Sequence, residues 1–269
     1  FGVVDAVSDV GARFAVRAQS AWLGWPTELE EELLTWMDDN RDATRSGDLE
    51  RTREVADRFD AIIRSLLAAR RQAPHDDVTA ELMRLQDADG HPLQSEALVS
   101  VLRNWTGGDL GSLALCTGVV VQWLVENPEH QDALRAAGEE DLDAAINEIL
   151  RIDDPFVSNR RIATTATEIG GQEIRAGEQV VLNWTAANRD PAVFGDPDRF
   201  DPEVNAHANL VYGTGPHVCP GRPLATLELR VLVRSLLGAV QLEPAGETAE
   251  RELPRLGGFS RVPVVLLRR

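Results

Sequence analysis

Residues 186–216 carry neither a helical nor a strand period, and they are rich in Asp, Asn, Pro and Gly. A stretch this long without regular structure is usually functional or held by a ligand. It also divides the chain: helical patterns dominate before it, and a single long helix follows it.

Upstream, apolar positions recur at helical spacing over 4–23 and stop at Gly24-Trp25-Pro26. Thr27 caps a run over 28–39 whose acidic first turn suits the helix dipole. A long amphipathic helix follows over 49–71, then a shorter one over 76–86 that ends at the turn Asp87-Ala88-Asp89-Gly90. Ser95 opens the longest helix, reaching about 127, and Pro128 begins the next at its first helical position. A further helix over 141–152 stops at Asp153-Asp154-Pro155.

The texture then changes. Short strands are expected at 160–167, 172–174 and 179–184, with turns at Gly170-Gly171 and Ala176-Gly177. Helix returns over 221–240, and 256–267 reads as a strand hairpin. With no internal repeat or linker, one domain over 1–269 without an internal boundary is expected. Its class is mostly α with a small β region, an α+β fold.

The formal net charge of -17 argues against non-specific nucleic-acid binding and against anionic membrane surfaces. It fits the solvated acidic surface of a cytoplasmic protein. The most apolar run, 113–125, is interrupted by Thr117, Gly118 and Gln122, so it reads as a buried helix and no membrane span is expected. The first residues show no secretory-signal pattern. Two cysteines in unlike contexts, Cys116 and Cys219, argue against a disulfide framework.

Chemistry concentrates in Tyr212-Gly213-Thr214-Gly215-Pro216-His217-Val218-Cys219-Pro220-Gly221. Glycines flank the cysteine and let the backbone approach a ligand closely. A helix start favours a thiolate, and a thiolate is a soft donor to iron. Taken alone, such a cysteine is more often a small buried hydrophobe. No zinc-like spacing of Cys or His surrounds it.

The order Gly-x-Gly-x-His-x-Cys-x-Gly before a helix resembles the haem-ligand loop of the cytochrome P450 family, with Tyr212 at the usual Phe position. The resemblance implies haem b as cofactor, Cys219 as its thiolate and metal ligand, and Gly213 and Gly221 beside it. Glu148-Ile149-Leu150-Arg151 places a carboxylate and a guanidinium on one helix face. It resembles the family's Glu-x-x-Arg, a structural pair joined by a third residue. The match for that residue is Arg199, in Pro197-Asp198-Arg199-Phe200. By the same resemblance, Arg161 and His217 anchor the haem propionates, and Ala186-Ala187-Asn188-Arg189-Asp190-Pro191 matches the loop before the haem segment.

The long helix contains Trp105-Thr106-Gly107-Gly108-Asp109-Leu110-Gly111-Ser112. Glycine inside a helix costs about 1 kcal/mol relative to Ala, so three within five residues suggest a groove or a close approach. The segment resembles the family's oxygen-activating helix. Asp109 comes one position early, Gly111 stands where threonine is usual, and Ser112 offers a hydroxyl instead. Gly257-Gly258-Phe259-Ser260-Arg261-Val262-Pro263-Val264 resembles the last sheet turn of the family.

Together these imply a P450 fold, N-terminally incomplete, and a haem-thiolate monooxygenase. Such an oxidoreductase inserts one atom of O2 into a small organic substrate. Its electrons come from NAD(P)H through a ferredoxin or a flavin or iron–sulfur reductase. Asp109 and Ser112 would be its catalytic proton carriers. Trp105, Gly108, Pro155, Phe156, Val157 and Phe259 would wall the substrate pocket. Arg222, Arg230 and Arg234 could meet an acidic electron carrier. Gly111 leaves a peroxide-using enzyme as an alternative, and a non-catalytic partner or fragment of the same fold is the other.

Overall fold

The computed structural model describes residues 2–73, 75–253 and 256–269. The chain divides into two compact units. One is Val4–Thr117; the other is Gly118–Arg269 with the N-terminal residues as far as Val3.

The expected helix over 4–23 starts late. A short strand, β1 (Val3–Asp5), leads into a π-helical stretch, Ala6–Ala12, and only then into α1 (Arg13–Leu23). Asp5 sets this start by accepting from the N–H of Val7 and the hydroxyl of Ser8. α1 ends on Gly24 in the left-handed region, φ 72°, where a Cβ would lie 2.4 Å from side-chain atoms of Asp77. α2 (Glu30–Ser46), α3 (Leu49–Gln72), α4 (Val78–Arg84) and α5 (Ser95–Glu126) follow. Asp48 and Asp77 cap α3 and α4 with their side chains.

The core of this unit forms around Phe59, which Trp36 stacks on at 4.1 Å while its indole N–H donates to the carbonyl of Val55. Further along α3, Arg70 is buried, binding Asp77 and the carbonyls of Leu23 and Gly24. Burial works against a charge on Asp77, but Arg70 and the N–H of Ala80 hold its carboxyl below the ordinary range.

α5 is long and apolar enough, by length and composition, to cross a membrane. However, 56% of its most apolar window is buried inside the protein, as in a core helix.

The second unit contains α6 (His130–Ala136) and α7 (Glu139–Ile152), then β2 (Ser158–Ile162), β3 (Thr167–Ile169), β4 (Gln172–Ile174) and β5 (Gln179–Asn183). β2 pairs with β5 and β3 with β4, both antiparallel. Pro128 does not open α6; it lies in the turn before it, its carbonyl accepting from Gln131 N–H. The stretch from 186 is not structureless. It holds three single-turn helices, α8 (Trp184–Ala187), α9 (Pro191–Phe194) and α10 (Pro202–Asn205), the last two opened by Asp caps and Pro.

α11 (Arg222–Ala239) runs into β6 (Val240–Pro244), followed by β7 (Glu250–Arg251), β8 (Phe259–Arg261) and β9 (Pro263–Arg268). The expected terminal hairpin does not form. Only Val262 separates β8 from β9, too little for a turn, so β8 pairs with β7 and β9 with β6.

One side chain ties the end of α5, α6 and β6 together. Gln131 is fully buried, donates to the carbonyls of Leu124 and Leu242 at 3.0 Å each, and accepts from Leu242 N–H at 3.0 Å. Gln131→Leu would leave three buried backbone groups without partners. It should lower stability by about 3 kcal/mol in chemical denaturation, against less than about 1 kcal/mol for the exposed Gln172→Leu.

Candidate functional site

In the second unit, Cys219 is the last loop residue but two before α11, and it is half-buried. Its N–H donates to the carbonyl of Tyr212 at 2.9 Å, and its own carbonyl accepts from Arg222 N–H at 3.3 Å. The loop is folded tightly by Gly213 and Gly215, both left-handed at φ 71° and 70°. A Cβ on Gly215 would meet nothing within 4 Å, and one on Gly221 would stand 3.8 Å from the sulfur of Cys219. Thr214–Val218 present themselves to solvent, His217 included. The extra hydroxyl of Tyr212 meets the hydroxyl of Thr226 on α11 at 3.3 Å, and Arg222 lies over its ring. The loop is thereby fastened to the helix it precedes.

Behind the loop, Glu148 and Arg151 of α7 are buried and paired through two hydrogen bonds of 2.9 and 2.8 Å. Arg151 also donates to the carbonyls of Asn188, Pro197 and Arg199. Arg199 enters this network through its backbone alone. Its side chain is 71% exposed and pairs with Asp201. The side chain that completes the network is Asn205, buried on α10 and donating to Glu148 at 2.6 Å. A buried carboxylate with an acceptor oxygen still open needs a donor, and a short neutral amide fits where a second guanidinium would add uncompensated charge.

Asn188 was legible only as part of a family-like loop. It is fully buried, donates to Asp154 at 2.9 Å and accepts from Leu210 N–H at 2.8 Å. Asp154 also accepts from Phe156 N–H at 2.7 Å, and burial pushes its pKa up to about 6 despite those bonds.

Arg161 lies on β2 opposite Val180, half-buried, with its guanidinium donating to the carbonyl of Arg160. Pro155 is buried, Phe156 and Val157 half-buried, and Phe259 is buried with Arg251 lying 4.1 Å over its ring. A groove of about 710 Å³ includes Val157, Asp153, Asp154, Asn183, Arg189 and Arg251 in its lining, but neither Cys219 nor its loop. On α11, Arg230 is engaged internally by Asp143 and Glu139, and Arg234 by the carbonyl of Ala137. Of the three expected carrier-facing arginines, Arg222 alone has neither an ion pair nor a side-chain hydrogen bond among the described residues.

In the first unit, α5 presents an exposed stripe through Val101, Asn104, Gly108 and Gly111. A Cβ on Gly108 or Gly111 would meet nothing within 4 Å, while Gly107 faces the core against Trp36. Ser112 returns its hydroxyl to the carbonyl of Gly108 at 2.6 Å. Trp105 packs on Trp22 with ring centroids 5.6 Å apart. Asp109 accepts a 2.6 Å hydrogen bond from the amide of Gln19, and burial raises its pKa to about 6. Gln19 escaped the sequence reading. The available signal was a polar residue on the buried face of an amphipathic helix. Among the described residues, the one other cluster with metal-like composition, Asp87, Asp89 and His91, is exposed on the turn before α5, where Asp87 closes the turn.

A mostly helical protein with a cysteine loop at a long helix's N-terminus defines a narrow class. The cytochrome P450 family model matches residues 45–265. The chain is 33% identical over 276 residues to 6-deoxyerythronolide B hydroxylase of Saccharopolyspora erythraea, covering 98% of this chain and 66% of that protein. It is 34% identical over 214 residues to putative cytochrome P450 140 of Mycobacterium tuberculosis, covering 77% of this chain and 48% of that protein. Among solved structures, open cytochrome P450 Eryk from S. erythraea matches with a TM-score of 0.85 and 29% identity, over 98% of this chain and 70% of that one. This chain belongs to the cytochrome P450 family, whose members use haem b. It spans between about half and two thirds of the length of the two relatives just named.

Two outcomes follow from this geometry. Asn205→Ala should cost about 3 kcal/mol by stripping a donor from a buried carboxylate, while Arg199→Ala should cost less than about 1 kcal/mol; urea denaturation distinguishes them. Stability should also fall between about pH 4 and about pH 6. Asp154 has a folded-state pKa above its ordinary 3.8, so the fold binds the proton more tightly than the unfolded chain. Its burial costs nothing while it is protonated in both states, begins to cost as pH passes 3.8 and is fully felt above about 6. That loss, about 3 kcal/mol, should be smaller in Asp154→Asn when denaturation midpoints are compared across the range.

Proposed function

We propose that the protein to which this chain belongs is a haem-thiolate monooxygenase that inserts one oxygen atom from O2 into a small organic substrate. The observation that carries the reading is the Cys219 loop. A half-buried soft donor sits just before an 18-residue helix, in a loop whose glycines leave bare backbone for a flat ligand. These residues fit haem b. When bound, it supplies oxygen activation, which thiolate ligation favours.

Cys219 holds the iron, and Gly213 and Gly221 keep the loop close and free of side chains. Arg161 and His217 meet the propionates. Glu148 and Arg151 keep the loop's support rigid. The carboxyl of Asp109 and the hydroxyl of Ser112 hold and pass protons. Trp105, Gly108, Pro155, Phe156 and Val157 bound the substrate. Phe259, whose ring Arg251 covers, belongs to the same wall. Electrons come from NAD(P)H through a ferredoxin or a flavin-containing reductase, with Arg222 meeting an acidic carrier. The site of action is the cytoplasm. Two relatives, the 6-deoxyerythronolide B hydroxylase above and a steroid C26-monooxygenase of Mycobacterium tuberculosis 32% identical over 241 residues, make bulky alicyclic or macrocyclic compounds the first substrates to screen.

The test is the absorption spectrum of the reduced full-length protein under carbon monoxide. A Soret band at the red-shifted position of thiolate-ligated haem, abolished in Cys219→Ala, is the expected result. A red-shifted band that persists in Cys219→Ala, or haem bound to the wild type without that band, would overturn the reading.

A further inference from the structure

Gln19 is 1% exposed on α1, on the same buried face as Ala15, Val16 and Leu23. A primary amide in such a place is costly unless it is bonded. Its Nε2 donates to Oδ2 of Asp109 at 2.6 Å. Asp109 follows Gly108, one helical step of about 100° round from the bare stripe of α5. It therefore stands at the border between that stripe and the core.

We propose that Gln19 is a positioning residue for Asp109, holding the carboxyl at the edge of the bare stripe with a neutral donor so that it remains able to take up and release a proton. The proposal rests on the reading of Asp109 as a proton carrier. Neutrality is the point of the choice. In the same unit, Asp77 faces the guanidinium of Arg70 and is held as an anion. Asp109 has no such partner: burial raises its pKa to about 6, and the Gln19 amide opposes that rise only in part.

The charged groups on the elements around it are engaged elsewhere. Arg13 and Arg17 of α1 bind Glu30, with Arg13 also on Glu31 of α2. Asp60 of α3 pairs with both Arg64 of α3 and Arg103 of α5. Asp9 of the π-helical stretch accepts from the backbone of Asp5. Among the described residues, none of these contributes to the shift at Asp109, whose causes are burial and Gln19.

The experiment is a carboxyl-carbon NMR titration of the full-length protein labelled with 13C-aspartate, in its diamagnetic reduced carbon monoxide form. The Asp109 resonance is assigned by its loss in Asp109→Asn. The wild-type midpoint should lie near 6. Gln19→Leu and Gln19→Met, both close in volume, should each move it upward by roughly one pH unit, the effect of losing one hydrogen bond to a charged acceptor. The share of reducing equivalents lost as peroxide should rise in both variants, with its pH profile displaced in the same direction. A wild-type midpoint in the ordinary carboxylate range, or a midpoint or profile that neither variant moves, would overturn the proposal. The same samples give the carbon monoxide spectrum. If haem does not bind, the titration is run on the haem-free protein, so failure of the haem reading and failure of the Gln19 assignment are scored separately.

Discussion

The ion pair of Glu148 with Arg151 holds the second unit in order. Two charges at about 1% exposure or less are stable only when nearly every hydrogen-bonding position is filled. Here the partners come from the stretch with no periodicity. Arg151 collects the carbonyls of Asn188, Pro197 and Arg199, and Phe194 lies against its guanidinium. Glu148 collects Asn205 and the N–H of Asp201. Residues 188–205 are thereby held from within the protein. A buried guanidinium serves as the donor, and irregular carbonyls that no strand could satisfy become its acceptors. The cysteine loop begins only seven residues after Asn205, so its position inherits that order.

Much of this was legible from residue order. The helices were found by their apolar period, and the cysteine loop and the Glu-x-x-Arg pair by motif, because local spacing determines both. What escaped was set by distance in the chain. Asn205 and Glu148 are far apart in sequence, and nothing local marks Asn205 as the donor in place of Arg199. The terminal hairpin was misread because alternation identifies strands but not their partners. Pro128 lies two positions before the first residue of α6; a proline suits both a helix start and the turn before one.

The two buried carboxyls near pH 6 illustrate how one physical cause is used differently. Asp154 spends its oxygens on Asn188 and on the backbone of Phe156, bracing α7 against the stretch after β5. Asp109 is bonded by a single neutral amide and borders a stripe where two glycines offer no side chains. The first arrangement is a brace whose strength depends on protonation; the second leaves a titrating group beside open space. Burial alone does not distinguish them, but the number and origin of their donors do.

The single residue between β8 and β9 couples two sheets by parity. Arg261 ends one strand, Val262 is fully buried, and Pro263 begins the next. Because side chains alternate faces along extended chain, inserting or deleting one residue here would turn every side chain of one strand over relative to the other. Buried Phe259 on one strand, or buried Val264 on the other, would then turn to the opposite face of its strand. Length variation among related chains should accordingly collect on the far side, in the turn from Pro244 to Glu250, where alternation imposes no such count.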